Sequence, residues 1–254
     1  MTVHRVPITY DAAPGGSVNA YLVVEERAVL VDAPERHPDL GALLDEHGLD
    51  AVVATHHHPD HAAGLGTYAR EHDATAYCRT GRATAFADAT GVEPDETFRA
   101  GSHVADTLTV LDTPGHAPEH VAFRCADGLV TGDLAVADGS VAVTAPEGDL
   151  RAYLASLRRV RALGPDRLLP GHGPVIDDPR ATCARLLRHR LDRERRVLAA
   201  VEAGARTLDE VTEAAYEKDV SAVWAMAVGT VEAHVEKLAV EGRVARDGER
   251  VTPA

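Results

Sequence analysis

Short apolar runs alternate with amphipathic stretches along the first two thirds of the chain. Ala51–Thr55 is an apolar run of the kind that forms a strand buried on both faces. Pro38–His47 places three leucines on one face and is followed by Gly48, which predicts a helix. The same reasoning predicts strands at Ala20–Val24, Ala28–Asp32, Thr75–Cys78, Thr107–Asp112, Val121–Cys125, Leu129–Thr131 and Arg167–Leu169, and helices at Leu65–Glu71 and Asp149–Leu163. This alternation is typical of a layered α/β domain.

The pattern becomes helical after Asp177-Asp178-Pro179. Helices are predicted at Arg180–Ala203, Leu208–Tyr216 and Ala222–Glu241. Asp247-Gly248 then predicts the turn of a small hairpin. Three helices followed by a hairpin indicate a winged helix, so we expect one domain over residues 1–178 and a second over residues 179–254.

The acidic side chains are unevenly distributed between these two parts. Residues 1–178 carry 13 basic and 27 acidic side chains, whereas residues 179–254 carry 13 of each. Lys218 and Lys237 are the only lysines. The charge fits a protein kept in solution at high salt, and an arginine-biased genome would explain the lack of lysine equally well.

The expected location is the cytoplasm. No apolar run approaches the roughly 20 residues that span a bilayer. The first ten residues lack the apolar segment and the cleavage site of a signal peptide. We therefore expect no membrane partner.

A histidine-rich segment, Thr55-His56-His57-His58-Pro59-Asp60-His61, directly follows the apolar strand. In an extended chain, residues two apart point the same way, so His56, His58 and Asp60 are expected to converge. His61 would then serve a second ion, and His57 would point away. Imidazole and carboxylate ligands together suit zinc, with manganese or iron as alternatives.

Three further candidate ligands each follow a predicted strand. They are His116 in Thr113-Pro114-Gly115-His116, Asp133 in Thr131-Gly132-Asp133, and His172 in Pro170-Gly171-His172-Gly173. A lone His or Asp after a glycine is usually part of a turn. Three in this order, each at a strand end, indicate one composite metal site.

At these residues the sequence resembles the metallo-β-lactamase superfamily, whose H-x-H-x-D-H motif is present. The resemblance implies a four-layer αβ/βα sandwich with two Zn²⁺ ions (Mn or Fe as alternatives) at one edge. The implied ligands are His56, His58 and His116 for one ion, Asp60, His61 and His172 for the other, and Asp133 between them.

Within the superfamily, Pro170–Ile176 and the C-terminal winged helix are most similar to the β-lactamase-like protein 2 group. Glu119 is a departure, because relatives often carry glycine there. That group includes a metal-dependent endoribonuclease acting on single-stranded RNA, and dimerisation is plausible for the family.

Two metals about 3.5–4 Å apart would generate hydroxide near neutral pH, with Asp60 orienting it. His120 is a candidate acid for the leaving group, and a supporting role is the alternative. Asp32 either holds a ligand histidine from behind or only ends its strand.

Three functions remain open at this point, of which the first is the expected one and the other two are alternatives. The first is a phosphodiesterase or endoribonuclease, supported by seven arginines in Arg180–Arg196, which form either a phosphate-binding stripe or an interdomain face. The second is a thioesterase similar to glyoxalase II, acting on a small-molecule ester. The third is a ligand-sensing winged-helix regulator, for which Glu232, Glu236 and Glu241 are poorly suited.

Overall fold

The structure is a computed structural model that describes residues 2–11 and 13–254. Its strands are β1 (Thr2–Thr9), β2 (Ser17–Val24), β3 (Ala28–Val31), β4 (Ala51–Val53), β5 (Thr75–Arg79), β6 (Glu96–Phe98), β7 (His103–Val104), β8 (Leu108–Asp112), β9 (Val121–Cys125), β10 (Gly128–Gly132), β11 (Leu168–Pro170), β12 (Val244–Asp247) and β13 (Arg250–Pro253). Its α-helices are α1 (Pro38–His47), α2 (Pro59–Ala62), α3 (Leu65–His72), α4 (Ala83–Thr90), α5 (Leu150–Leu163), α6 (Pro179–Glu202), α7 (Leu208–Ala215) and α8 (Trp224–Val240).

Two sheets form the centre of the larger part of the chain. The first has the order β1-β2-β3-β4-β5-β6, and the second has the order β11-β10-β9-β8-β7. Strands β3 to β6 run parallel, and so do β10 and β11. Their carboxyl ends therefore lie at common sheet edges, where loops can bring side chains together.

Alternation along the strands builds a core on both faces of the first sheet. In β2, Tyr21 packs against residues of the second sheet such as Phe123, whereas Leu22 packs on the helical side with Leu40 and Leu65. The second sheet is covered by α5 and α6 on its outer face. Helix, sheet, sheet and helix thus form the four layers expected from the resemblance.

The C-terminal part has a core of its own, formed by α7, α8, the β12-β13 hairpin and the end of α6. Helix α6 contributes to two cores, with Cys183 and Leu186 beside α5 and with Val197 and Val201 in the C-terminal part. Among the described residues, no helix combines the length and apolar character that crossing a bilayer requires.

Most predicted elements are present, and several lie within one or two residues of the predicted bounds. The structure adds β1, the short strands β6 and β7, and the helices α2 and α4, none of which the pattern predicted. Of these, α2 changes the geometry of the site.

Candidate metal centre

All seven predicted ligands lie beyond the ends of strands, on one edge of the two sheets. His56 and His58 follow β4, Asp60 and His61 lie in α2, His116 lies between β8 and β9, Asp133 follows β10, and His172 follows β11.

The seven side chains form two adjoining groups. The ligand atoms of His56, His58 and His116 lie within 4.8 Å of one another, and the same holds for Asp60, His61 and His172. Asp133 faces both groups. Its Oδ2 is 3.6 Å from His116 Nε2, and its Oδ1 is 3.3 Å from His172 Nε2.

The expectation that His56, His58 and Asp60 converge is wrong for Asp60. Its Oδ2 lies 3.5 Å from His172 Nε2 and 3.8 Å from His61 Nε2 instead. The extended backbone ends at His58, and α2 begins at Pro59, so strand alternation no longer applies. The grouping implied by the resemblance already placed Asp60 with the second set.

Backbone carbonyls orient two of the histidines. His116 Nδ1 donates to Ala142 O at 2.7 Å, and His172 Nδ1 donates to Ser17 O at 2.7 Å. Because a carbonyl can only accept, the proton must be on Nδ1, and Nε2 presents its lone pair to the cluster.

Asp32 orients histidines of both groups. Its Oδ2 accepts from His61 Nδ1 at 2.8 Å and from Thr55 Oγ1 at 2.8 Å. Because the Thr55 hydroxyl donates its proton to Asp32, the hydroxyl oxygen acts as the acceptor for His56 Nδ1 at 3.0 Å. Asp32 thus makes the predicted hydrogen bond to one of the candidate ligand histidines, His61.

Two glutamates complete the surroundings, and the sequence indicated the role of neither. His58 Nε2 lies 3.3 Å from Glu147 Oε2, which leaves His58 Nδ1 for the cluster. His57 belongs to neither of the two groups, but its ring lies between Glu119 and Glu147, and with His58 and Glu147 it forms a further set of possible ligands. Glu119 had been noted as a departure from the family pattern, whereas nothing in the sequence distinguished Glu147.

These orientations fit bound metal cations. His58 Nδ1 lies 3.0 Å from both His56 Nε2 and His116 Nε2, and all three atoms carry lone pairs there. Within residues 2–11 and 13–254, His61 Nε2, His172 Nε2 and Asp133 Oδ1 are buried without a hydrogen-bond partner. Lone pairs that converge in a buried space call for positive charge.

Charge within the cluster shifts several pKa values. Burial lowers the pKa of His56 well below its usual range. Burial also opposes the charged form of His61, but Asp32 and Asp133 outweigh it and raise the pKa of His61 well above its usual range. Despite burial, His61 and His172 hold the pKa of Asp133 well below its usual range. Asp133 is thus a permanent anion at the centre of the site.

The glycine before His172 lets the backbone pass close to the cluster. A Cβ at Gly171 would lie 2.6 Å from His61 Cε1 and 2.8 Å from Asp133 Oδ1. Any larger residue would displace a ligand side chain, which explains why a glycine precedes the ligand at this strand end.

His120 lies behind Asp133 and is fully buried. The backbone N–H of Asp133 donates to His120 Nε2 at 3.1 Å, so Nδ1 carries the proton and donates to Thr113 Oγ1 at 2.9 Å. Burial lowers the pKa of His120 to about 3. This geometry favours a role for His120 in supporting Asp133 over a role as the acid that protonates the leaving group.

A cleft of ≈ 570 Å³ opens onto His116, Asp133 and His172. Ser17, Asp138 and Ser140 also line it, and its apolar wall consists of small apolar side chains and one residue of α8. These are Val136, Ala137, Val141, Ala142 and Met226.

With this geometry established, comparison with known families is decisive. The family model described as "Metallo-beta-lactamase superfamily" matches residues 13–172. The chain belongs to the metallo-β-lactamase superfamily. A second model, "Beta-lactamase associated winged helix domain", matches residues 207–251. The chain is therefore a metallo-β-lactamase-fold hydrolase with a C-terminal winged helix.

Individual relatives in the superfamily extend this result. The chain is 29% identical over 248 residues to a "Beta-lactamase-like protein 2 homolog" of Drosophila melanogaster, covering 89% of this chain and 83% of the relative. It is 34% identical to a "Hydroxyacylglutathione hydrolase" of Cereibacter sphaeroides, covering 70% and 71%. The solved structure of a metallo-β-lactamase family protein from Thermus thermophilus has a TM-score of 0.79 and 27% identity, covering 99% and 98%.

Proposed function

We propose that this chain is a two-metal hydrolase of small acyl thioesters. The apolar wall of the cleft beside His116, Asp133 and His172 carries the proposal. Burying an acyl chain against Val136, Val141 and similar side chains is favourable by about 25 cal/mol per Å². A phosphodiester backbone would gain nothing from that wall.

The seven-residue set would hold the metals in two groups. His56, His58 and His116 suit one ion, Asp60, His61 and His172 suit the other, and Asp133 lies between them. Zinc suits these ligands best, with manganese or iron as alternatives. Ions bound there would supply Lewis-acid activation of water and of the thioester carbonyl.

The side chains of the protein would then position the reactants. The Asp60 carboxylate accepts a hydrogen bond from the attacking water and orients it. The apolar wall holds the acyl group, and the buried Asp133 lies between the two groups of ligands. Cys78, Cys125 and Cys183 are all buried, so none is placed to act as a nucleophile.

The similarity to the Cereibacter sphaeroides hydroxyacylglutathione hydrolase supports a thioester substrate, because that name describes hydrolysis of an acylated thiol. The similarity covers about seven tenths of each chain.

Endoribonuclease activity is the second candidate, favoured by the long match to the β-lactamase-like protein 2 homolog. Five of the seven arginines of α6 that suggested it have partners within the protein, whereas Arg180 and Arg188 are exposed. Arg185 donates to Gly139 O, Val136 O and Ala137 O at 2.6–2.9 Å. Arg185 therefore holds a loop against α6 and is not free for a phosphate, and Arg190 and Arg193 line a cavity instead of an exposed stripe.

A winged-helix regulator is the third candidate. Glu232 and Glu236 of α8 pair with Arg246 of the hairpin, so this face of α8 is acidic and engaged. Such a face would repel a phosphate backbone.

The decisive experiment is a turnover panel with the zinc-loaded protein. The substrates are a short neutral acyl thioester, a glutathione thioester, single-stranded RNA, a bis-aryl phosphate and a β-lactam. We expect the thioesters to be hydrolysed fastest and the variant His58→Ala to lose that activity. Metal analysis should give about two ions per chain.

Two outcomes would contradict the proposal. Cleavage of RNA without hydrolysis of either thioester would favour the endoribonuclease. Retained metal with no turnover of any substrate would favour the regulator.

A further inference from the structure

A second cavity of ≈ 180 Å³ lies between α6, the segment after α7 and the start of α8. Four basic side chains line it: His189, Arg190, Arg193 and Lys218. Among the residues that the structure describes, no Asp or Glu lines this basic cavity. Such a lining stands out in a chain whose net charge is −14.

The carboxylates nearest in sequence are engaged elsewhere. Glu217 pairs with Arg196 at 3.5 Å, and Asp219 Oδ1 accepts from the backbone of Ser221 at 2.9 Å. Glu194 Oε2 lies 2.8 Å from Lys237 Nζ. Glu217 lies close enough to favour the charged form of Arg193, but no carboxylate that the structure describes lines the basic cavity, so its positive charge is only partly balanced from within.

Two of the four side chains are held rigidly. Arg190 is 3% exposed and donates to Val141 O, and within the described part of the chain its Nε has no hydrogen-bond partner. The Arg193 guanidinium stacks 3.5 Å from the centroid of the Tyr216 ring. A buried guanidinium with an unused N–H needs an acceptor.

The half-buried His189 lies in the positive electrostatic potential of the neighbouring arginines. Burial, together with the charges of Arg190 and Arg193, lowers the pKa of His189 to about 4. A neutral histidine in a basic cavity can still donate a hydrogen bond to an anion.

A three-residue strip separates the basic cavity from the metal centre. Ala142 O accepts from His116, Val141 O accepts from Arg190, and Ser140 Oγ lies 3.3 Å from His189 Nε2. This strip and Met226 line both the basic cavity and the cleft. One extended molecule can therefore contact both.

We propose that the basic cavity binds an anionic group, a phosphate or a carboxylate, on the thiol part of the substrate. The thioester carbon lies at the metal centre, the thiol part crosses the strip, and the acyl group lies on the part of the apolar wall formed by Val136 and Ala137. This inference rests on the proposed thioester hydrolysis. It identifies the substrate class as thioesters of an anionic thiol, which charge-assisted hydrogen bonds would select.

Lys218→Met tests the assignment, with Arg188→Met as its matched control. Both side chains are exposed, and each change removes one positive charge. Arg188 lies on α6 but does not line the basic cavity. Because both positions are exposed, folding should be retained, and circular dichroism checks this.

The substrates are three acetyl thioesters: of phosphopantetheine, of glutathione and of the neutral N-acetylcysteamine. We expect Lys218→Met to raise KM for an anionic thioester about fivefold relative to KM for the neutral one. The phosphate and carboxylate arms show which anion the cavity takes. An unchanged ratio for both anions would overturn the inference.

Binding is measured separately from turnover, through tryptophan fluorescence. Trp224 is the only tryptophan of the chain, and it is adjacent in sequence to Val223, which lines the basic cavity. Titration with phosphopantetheine should give the same Kd for the native protein and Arg188→Met, and an approximately fivefold higher Kd for Lys218→Met. Equal values in all three would refute the basic cavity as the site. Intact binding without hydrolysis of the neutral thioester would refute the proposed function alone.

Discussion

At the residue scale, Asp32 connects the two groups of candidate ligands. It follows β3 with a φ of 58°, and its carboxylate accepts from the backbone of Thr55 at 2.7 Å. It also reaches His61 directly and His56 through the Thr55 hydroxyl. One buried carboxylate thus fixes the ring orientation of a histidine in each group.

Replacing this carboxylate should weaken metal binding. Asp32→Asn keeps the shape but removes the charge that orients His61 and Thr55. We expect zinc affinity to fall about 10–100-fold, as is usual when a hydrogen-bond partner of a ligand is lost. Competition with a chromogenic chelator measures this.

Asp50→Asn is the matched control, because Asp50 accepts from Ala28 N at 2.7 Å within the same sheet but does not contact the cluster. If both variants lowered zinc affinity equally, the effect of Asp32 would be one of stability only.

His120 can be tested by the pH dependence of activity. With a pKa of about 3, its doubly protonated form exists only in strong acid, so near neutral pH it has no imidazolium proton to give to a leaving group. His120→Gln should therefore lower kcat without changing the limbs of the pH profile. Loss of the alkaline limb would instead show that His120 is the acid.

At the element scale, the sequence predicted those elements that have strong periodicity. Helix α1 and strand β9 have the predicted bounds. Strand β1 was missed because only Val6 and Ile8 are buried in it, and α4 because alanine and threonine dominate it. Both depend on tertiary packing more than on local pattern.

The candidate metal centre was likewise only partly predictable from the sequence. The seven ligand types were visible at strand ends, whereas Ala142 O and Ser17 O act through the backbone and leave no trace in residue identity. Glu147 comes from a loop whose path only the fold determines.

Arg185 should stabilise the loop of residues 136–142 that forms the apolar wall. Arg185→Ala removes three hydrogen bonds to carbonyls, and we expect a loss of about 1–3 kcal/mol in the free energy of unfolding. Chemical denaturation measures the loss, and hydrogen exchange should increase in residues 136–142.

Arg188→Ala changes an exposed position of the same helix and serves as the control. It should neither lower the free energy of unfolding nor increase hydrogen exchange in residues 136–142. If Arg188→Ala weakened RNA binding while hydrogen exchange in residues 136–142 stayed unchanged, a phosphate-binding stripe on α6 would be supported instead.

At the scale of the whole molecule, α6 links the two parts of the chain. The family models match residues 13–172 and 207–251, and most of α6 lies between them. Because α6 packs in both cores, we propose that the boundary at residue 178 divides the chain in sequence while the two parts remain one packed unit. Met226 of α8 then reaches the cleft as a fixed part of its wall.

The charge of the molecule predicts how salt affects its stability. Residues 1–178 carry 27 acidic and 13 basic side chains, so folding brings unbalanced carboxylates together and their repulsion opposes the compact state. Raising potassium chloride to about 1 M shortens the screening length to about 3 Å and should raise the melting temperature.

Sucrose at equal osmolality is the control, because an excluded solute stabilises any compact state without screening charge. Differential scanning calorimetry of the zinc-loaded protein should show a larger rise in potassium chloride than in sucrose. Equal rises would mean that the acidic surface contributes nothing to salt dependence.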